Sequence, residues 1–79
     1  MLDELKTAEK VVGIKQLQKA LNAGRAKKVF LAADADPALT EPVAASCREA
    51  GIEVIMIDTM QRLGAACGIP VSAAAAAIV

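Results

Sequence analysis

Apolar residues recur along this chain with two periods, and the switches between them mark the predicted elements. Residues 2–10 carry Leu2, Leu5 and Ala8 at helical spacing among charges, which predicts a short first helix. Val11 and Val12 read as a brief extended segment before a glycine turn at Gly13. Beyond the turn, Ile14, Leu17, Ala20 and Leu21 share one side of a helical wheel, while Lys15, Gln16 and Lys19 share the other. This second helix is expected from about Lys15 to Leu21. It ends at Asn22-Ala23-Gly24, where glycine accepts the left-handed conformation that closes helices.

The pattern then changes. Val29-Phe30-Leu31-Ala32-Ala33 is a continuous apolar run bounded by charge, as expected of a strand covered by helices on both faces. Asp36 before Pro37 supplies an N-cap and a first-turn proline, and Thr40-Glu41-Pro42 repeats the signal a turn later. The third helix puts Leu39, Val43, Cys47 and Ala50 on one side, with Glu41, Arg48 and Glu49 opposite, and closes at Gly51. Residues 52–57 form a second buried strand. Asp58, with Gln61 three residues on, resembles a capping box that starts a fourth helix. Its apolar side is Met60, Leu63, Gly64 and Cys67, and Gly68 ends it. A glycine inside a helix costs about 1 kcal/mol relative to alanine, so Gly64 points to a close backbone contact or to a packing accommodation.

In the last segment, propensity and architecture disagree. Ala73 to Ala77 favour helix intrinsically, but the seven residues after Ser72 are too few for a lone stable helix. Small side chains on both faces of a buried central strand let two helix layers approach, so a strand is expected there. Helices alternating with buried strands predict an α/β fold, a three-layer α/β/α sandwich around a small mixed four-stranded sheet. The whole chain, residues 1–79, reads as a single domain with no repeat or linker.

Composition narrows the chemistry. The chain has no His, removing the commonest general base and metal ligand. Cys47 and Cys67 stand twenty residues apart with no second thiol or imidazole nearby, so they form neither a zinc pattern nor a redox motif. They read as buried apolar residues without a cationic neighbour to activate them, in a reducing compartment. No leader or membrane-spanning run is visible, and a cytoplasmic, soluble, monomeric protein is expected. Net charge is zero but unevenly distributed. Residues 1–28 are +4, from seven Lys/Arg and three Asp/Glu, and residues 29–79 are −4, from two and six. One basic face on a neutral molecule suits a polyanion.

Three groups of residues are candidates for function. Gly13 and the helix after it offer free N–H groups at the positive end of a helix dipole, beside the Lys15 and Lys19 ammonium groups and the Gln16 amide. The combination suits an anion with hydrogen-bonding edges, such as nucleic acid; a plain solvated helix face is the alternative. Asp34 and Asp36 end a buried strand, where ligands collect in open α/β sheets. They can cap a turn, accept hydrogen bonds from a base or ribose, or hold a divalent metal. A metal-dependent hydrolase would want further ligands, and Asp58-Thr59 is the only offering, so this ranks last. Ile69, Pro70 and Val71 form an apolar loop that can stack on a flat base or pack onto the core.

Four stretches together resemble the kink-turn RNA-binding superfamily of small ribosomal proteins and box C/D core proteins, closest to its short bacterial ribosome-associated members. They are Gly13 to Lys19, Ala32 to Pro37, Leu63 to Ile69, and Ala73 to Ile78. The resemblance implies an α/β/α sandwich without catalysis, metal or cofactor, whose partner is kink-turn RNA, an internal loop flanked by sheared G·A pairs. It implies that Gly13, Ile14, Lys15, Gln16 and Lys19 meet the G·A pairs, with Lys15 and Gln16 in place of the usual asparagine and glutamate. It further implies that Asp34 and Asp36, with Met60 where a basic residue is common, receive an extruded nucleotide. Ile69, Pro70 and Val71 would cover the bend, Val71 standing where an arginine is sometimes found. Lys27 and Lys28 add candidate phosphate contacts. The departures at Lys15, Gln16 and Met60 also motivate an alternative, a protein-interaction scaffold of the same fold that has lost RNA specificity.

Overall fold

The computed structural model describes residues 9–79, so most of the helix expected over residues 2–10 lies outside the described part. Its end does not: Lys10 lies in a strand, β1 (Lys10–Val12), because it continues the ladder of Val11 and Val12. The chain then runs through α1 (Ile14–Asn22), β2 (Lys28–Ala32), α2 (Pro37–Ala50), β3 (Glu53–Ile57), α3 (Met60–Ala66) and β4 (Ala75–Ile78).

The strands form one mixed sheet in the order β1-β4-β2-β3. β2 and β3 are parallel, joined through α2, while β4 runs antiparallel to both β1 and β2. The alanine-rich segment is therefore a strand, and a central one. Two ladders satisfy its backbone on both sides, which outweighs alanine's preference for helix. Ala75, Ala76 and Ala77 are fully buried. Small side chains are needed because both faces are covered. Ala75 and Ala77 lie in the cluster containing Leu17, Val43 and Cys47 of α1 and α2. Ala76 lies in the opposite cluster, beside its register partner Phe30 and with Leu63 of α3. Three layers result, as the sequence predicts.

Several local expectations need correction. β3 is an edge strand, not a buried one, and Met56 on it is 57% exposed. Leu39 is also exposed, because α2 turns only Val43 and Cys47 fully into the core. Pro42 lies inside α2, which starts at Pro37 with Asp36 as its cap; the second start signal is unused. α3 is capped by Thr59, whose hydroxyl accepts from the Arg62 N–H at 3.1 Å. Asp58, the expected cap, instead pairs with the Arg62 guanidinium at 3.0 Å.

Candidate nucleic-acid interface

The mixed sheet has two ends, and one of them gathers the loops singled out from the sequence. β1, β2 and β3 finish at the end where β4 begins: Val12 stands opposite Ala76, Leu31 opposite Ala75, and Ala32 beside Ile57. Four segments therefore leave or join the sheet at this end. They are the Gly13 turn into α1, the loop of residues 33–36, the turn into α3, and residues 69–74. Hydrogen bonds stitch them to the sheet and to one another. Gly13 N–H donates to the Ala75 carbonyl at 2.8 Å, Ala32 N–H to Ala74 at 2.9 Å, and Ala33 N–H to Ile57 at 2.7 Å.

Gly13 takes φ 102° and ψ 150°, a region that only glycine enters without strain. Space is not the reason, since nothing lies within 4 Å of where a Cβ would be. The turn swings the chain from β1 into α1. No side chain caps α1 and no acidic residue sits in its first turn, so the first N–H groups and the positive end of the dipole face outward. Lys15 and Gln16 are exposed in this first turn and Lys19 in the last turn of the same face, while Ile14 packs against the cluster around Leu17. The helical wheel read from the sequence is thus the wheel observed.

Both aspartates act on backbone. One Asp36 carboxylate oxygen accepts from Ala38 N–H at 2.9 Å and caps α2. One Asp34 oxygen accepts from Met60 N–H at 2.7 Å, across twenty-six residues, at the start of α3. Both side chains remain exposed, each with a second oxygen. Among the described residues, no three His, Cys, Asp or Glu side chains converge as a metal site would require. Met60 is half-buried against the Phe30 cluster.

The apolar loop is held from below. Ile69 packs on the core and its N–H donates to the Gly64 carbonyl at 3.1 Å, leaving Pro70 exposed and Val71 64% exposed. Gly64 is buried, and a Cβ on it would overlap the Val71 carbonyl oxygen and come within 3.0 Å of the Ser72 Cα. Of the two readings of this glycine, close backbone approach is the correct one.

Lys28 does not join this group. It pairs in register with Glu53 and Ile78, at the opposite end of the sheet. Four strand residues, about 13 Å, separate it from Ala32. Lys27, whose N–H donates to the Ile78 carbonyl, is with it. A shallow groove lined by Ala38, Glu41, Pro42, Ala44, Ala45 and Arg48 runs along the outside of α2 and contains none of the candidate residues. Cys47 and Cys67 are buried and unpaired, and burial pushes both thiols up. Cys67 does have a cationic neighbour, contrary to expectation. The Lys10 ammonium draws its thiol partway back, an effect arising from β1 that spacing along the chain does not reveal. Sequence reasoning also missed the Thr59 cap, although a threonine one residue after a strand-end aspartate is a legible signal.

No helix among the described residues is long and apolar enough to cross a membrane. The profile of the ribosomal protein L7Ae/L30e/S12e/Gadd45 family matches residues 2–79. Among related sequences, an RNA-binding protein of Bacillus pumilus (strain SAFR-032) is 47% identical over 68 residues, covering 86% of this chain and 83% of its own. The RNA-binding protein YbxF of Geobacillus stearothermophilus is 45% identical over 74 residues, covering 94% of this chain and 90% of its own. Among solved structures, the Giardia lamblia 15.5kD RNA binding protein superposes with a TM-score of 0.88 at 30% identity. That match covers 98% of this chain and 68% of the other.

Proposed function

The chain belongs to the ribosomal protein L7Ae/L30e/S12e/Gadd45 family, and we propose that it is a cytoplasmic RNA-binding protein that recognises and stabilises kink-turn motifs in structured RNA, in association with the ribosome. It acts by binding, without catalysis. The observation that carries the reading is the meeting of the Gly13 turn, the Asp34–Asp36 loop and the residue 69–71 loop at one end of the sheet. Three relatives named for RNA binding share the fold or much of the sequence, which supports the same partner.

Each group has a separable task. The first-turn N–H groups of α1 and the Lys15 and Lys19 ammonium groups meet phosphate oxygens and supply affinity without reading sequence. Gln16, on the same exposed face, offers an amide to a base edge at the G·A pairs. The Asp36 oxygen that does not cap α2 accepts from an extruded nucleotide. Pro70 and Val71 give an apolar surface against an unstacked base, the usual way single-stranded RNA elements are engaged. Lys28 is left out of this surface, because the sheet separates it from the rest.

Because the loops are tied to the sheet by hydrogen bonds, the protein presents a preformed shape. RNA already bent into that shape binds without the population cost paid by RNA that must be bent. Titration of a kink-turn RNA against a straight duplex of equal length lacking the G·A pairs tests the reading. The kink-turn is expected to bind more tightly, and more weakly as salt is raised. Equal affinity for the two would sink the kink-turn claim and favour a scaffold that has lost RNA specificity.

A further inference from the structure

We propose that Asp34 is a positioning residue, not an RNA contact, and that the Met60 peptide it holds locks three RNA-side loops into one rigid edge. The inference rests on the RNA-binding reading for its consequence, but its geometry does not. Asp34 leaves β2 on the loop that also carries Asp36, and its carboxylate accepts from Met60 N–H at 2.7 Å. The other side of the same residue is also engaged. The Met60 carbonyl accepts from Ala73 N–H at 3.0 Å, at the junction between the residue 69–71 loop and β4. One residue's backbone therefore receives the loop after β2 on its donor and the segment before β4 on its acceptor. Its own chain supplies the third member, the turn from β3 into α3.

The Asp34 bond has features a passive surface contact lacks. It joins residues twenty-six apart, so it fixes tertiary geometry and not a local turn. Its acceptor is a carboxylate and its donor is the first N–H of α3, one of the groups a helix cannot satisfy internally. Thr59 already caps the same helix through Arg62 N–H, so Asp34 is not needed to start α3. What it adds is attachment of the loop. Without it, the residue 33–36 loop keeps the Ala33 to Ile57 bond and the Asp36 cap but loses its tie to α3.

Asp34→Ala removes the acceptor, and Asp34→Asn keeps an acceptor oxygen while removing the charge. The first measurement is amide hydrogen exchange in the free protein. Asp34→Ala should raise exchange at Met60 N–H by about ten-fold or more, with Phe30 and Leu31 in β2 unchanged, and Asp34→Asn should restore most of the protection. Unchanged exchange at Met60 in Asp34→Ala overturns the proposal, as does a loss of protection spread equally over β2. The second measurement is titration with kink-turn RNA. Asp34→Ala should weaken binding by about ten-fold and Asp34→Asn by no more than about two-fold. Equal weakening by both variants while Met60 stays protected in Asp34→Asn would instead assign the carboxylate to the RNA. Should the wild-type protein not prefer the kink-turn, the function proposed above fails, and the exchange arm still decides the clamp.

Discussion

Gln16 concentrates the question of specificity in one side chain. Its amide carries one acceptor oxygen and two N–H donors, whereas the Watson–Crick edge of guanine presents two adjacent donors, N1–H and the N2 amino group, that a carboxylate takes together. Gln16→Glu should therefore raise the preference for a kink-turn over a duplex lacking G·A pairs by about ten-fold, within the range of a bidentate base contact. It should lower affinity for plain duplex, since a negative charge now faces phosphates. A filter-binding series on both RNAs reads the ratio, and an unchanged ratio removes Gln16 from the base-reading role. The buried thiols make a different residue-scale prediction. Burial raises the Cys47 and Cys67 titrations in the folded state above those in the unfolded chain. The folded protein then holds those protons more tightly, so the contribution is fully present below the unfolded thiol range and is lost as pH rises through the folded one. Denaturant midpoints should fall with pH above about 9, where unfolded thiols ionise, and a Cys47→Ala variant should show a shallower fall.

At the scale of elements, α3 is a short helix whose position matters more than its length. Gly64 lets the residue 71–72 backbone lie directly on it, and Gly64→Ala would force that backbone away from the helix. Displacing packed backbone costs about 1–3 kcal/mol. Circular dichroism should show the helices retained with a lowered melting temperature, and kink-turn affinity should drop by more than duplex affinity because the residue 69–71 loop moves. Ala65→Ser, on the exposed side of the same helix, should change neither. The contrast shows what the sequence can disclose. A glycine on the apolar side of a helix leaves a close backbone contact and a packing accommodation both open, and only the fold says that Val71 approaches. Likewise α1, capped α2 and the alanine strand follow from periodicity, an Asp-Pro pair and a length limit, all local physics. The bond from Asp34 to Met60 and the exposure of Met56 do not. They depend on which strands are neighbours, and no spacing along the chain encodes that.

Across the described part of the molecule, the basic residues from Lys15 to Lys28 are spread from one end of the sheet to the other. α1 runs from one end toward the other, with Lys15 in its first turn, Lys19 in its last turn, and Arg25 and Lys27 beyond its carboxyl end. Nine helical residues span about 13 Å, longer than a Debye length at physiological salt, so Lys15 acts on RNA separately from Lys27, which lies beside Ile78. Lys19 stands a turn from Lys15 on the same exposed face. Composition alone sees one +4 segment and cannot make this division. If RNA lies across the end holding the Gly13 turn, Lys15 and Lys19 reach phosphates, the exposed Arg62 at that end being paired with Asp58. Each phosphate neutralised contributes about 0.7 to 0.9 to the slope of log K against log salt, so the slope should be shallow, near about −2. The double variant Lys15→Ala, Lys19→Ala should flatten that slope almost completely. Arg25→Ala with Lys27→Ala should leave both slope and affinity unchanged within about two-fold. A steep wild-type slope, or a slope that responds to Arg25 and Lys27, would mean that RNA follows the opposite end of the sheet, and the interface drawn from Gly13, Asp36 and Val71 would be wrong.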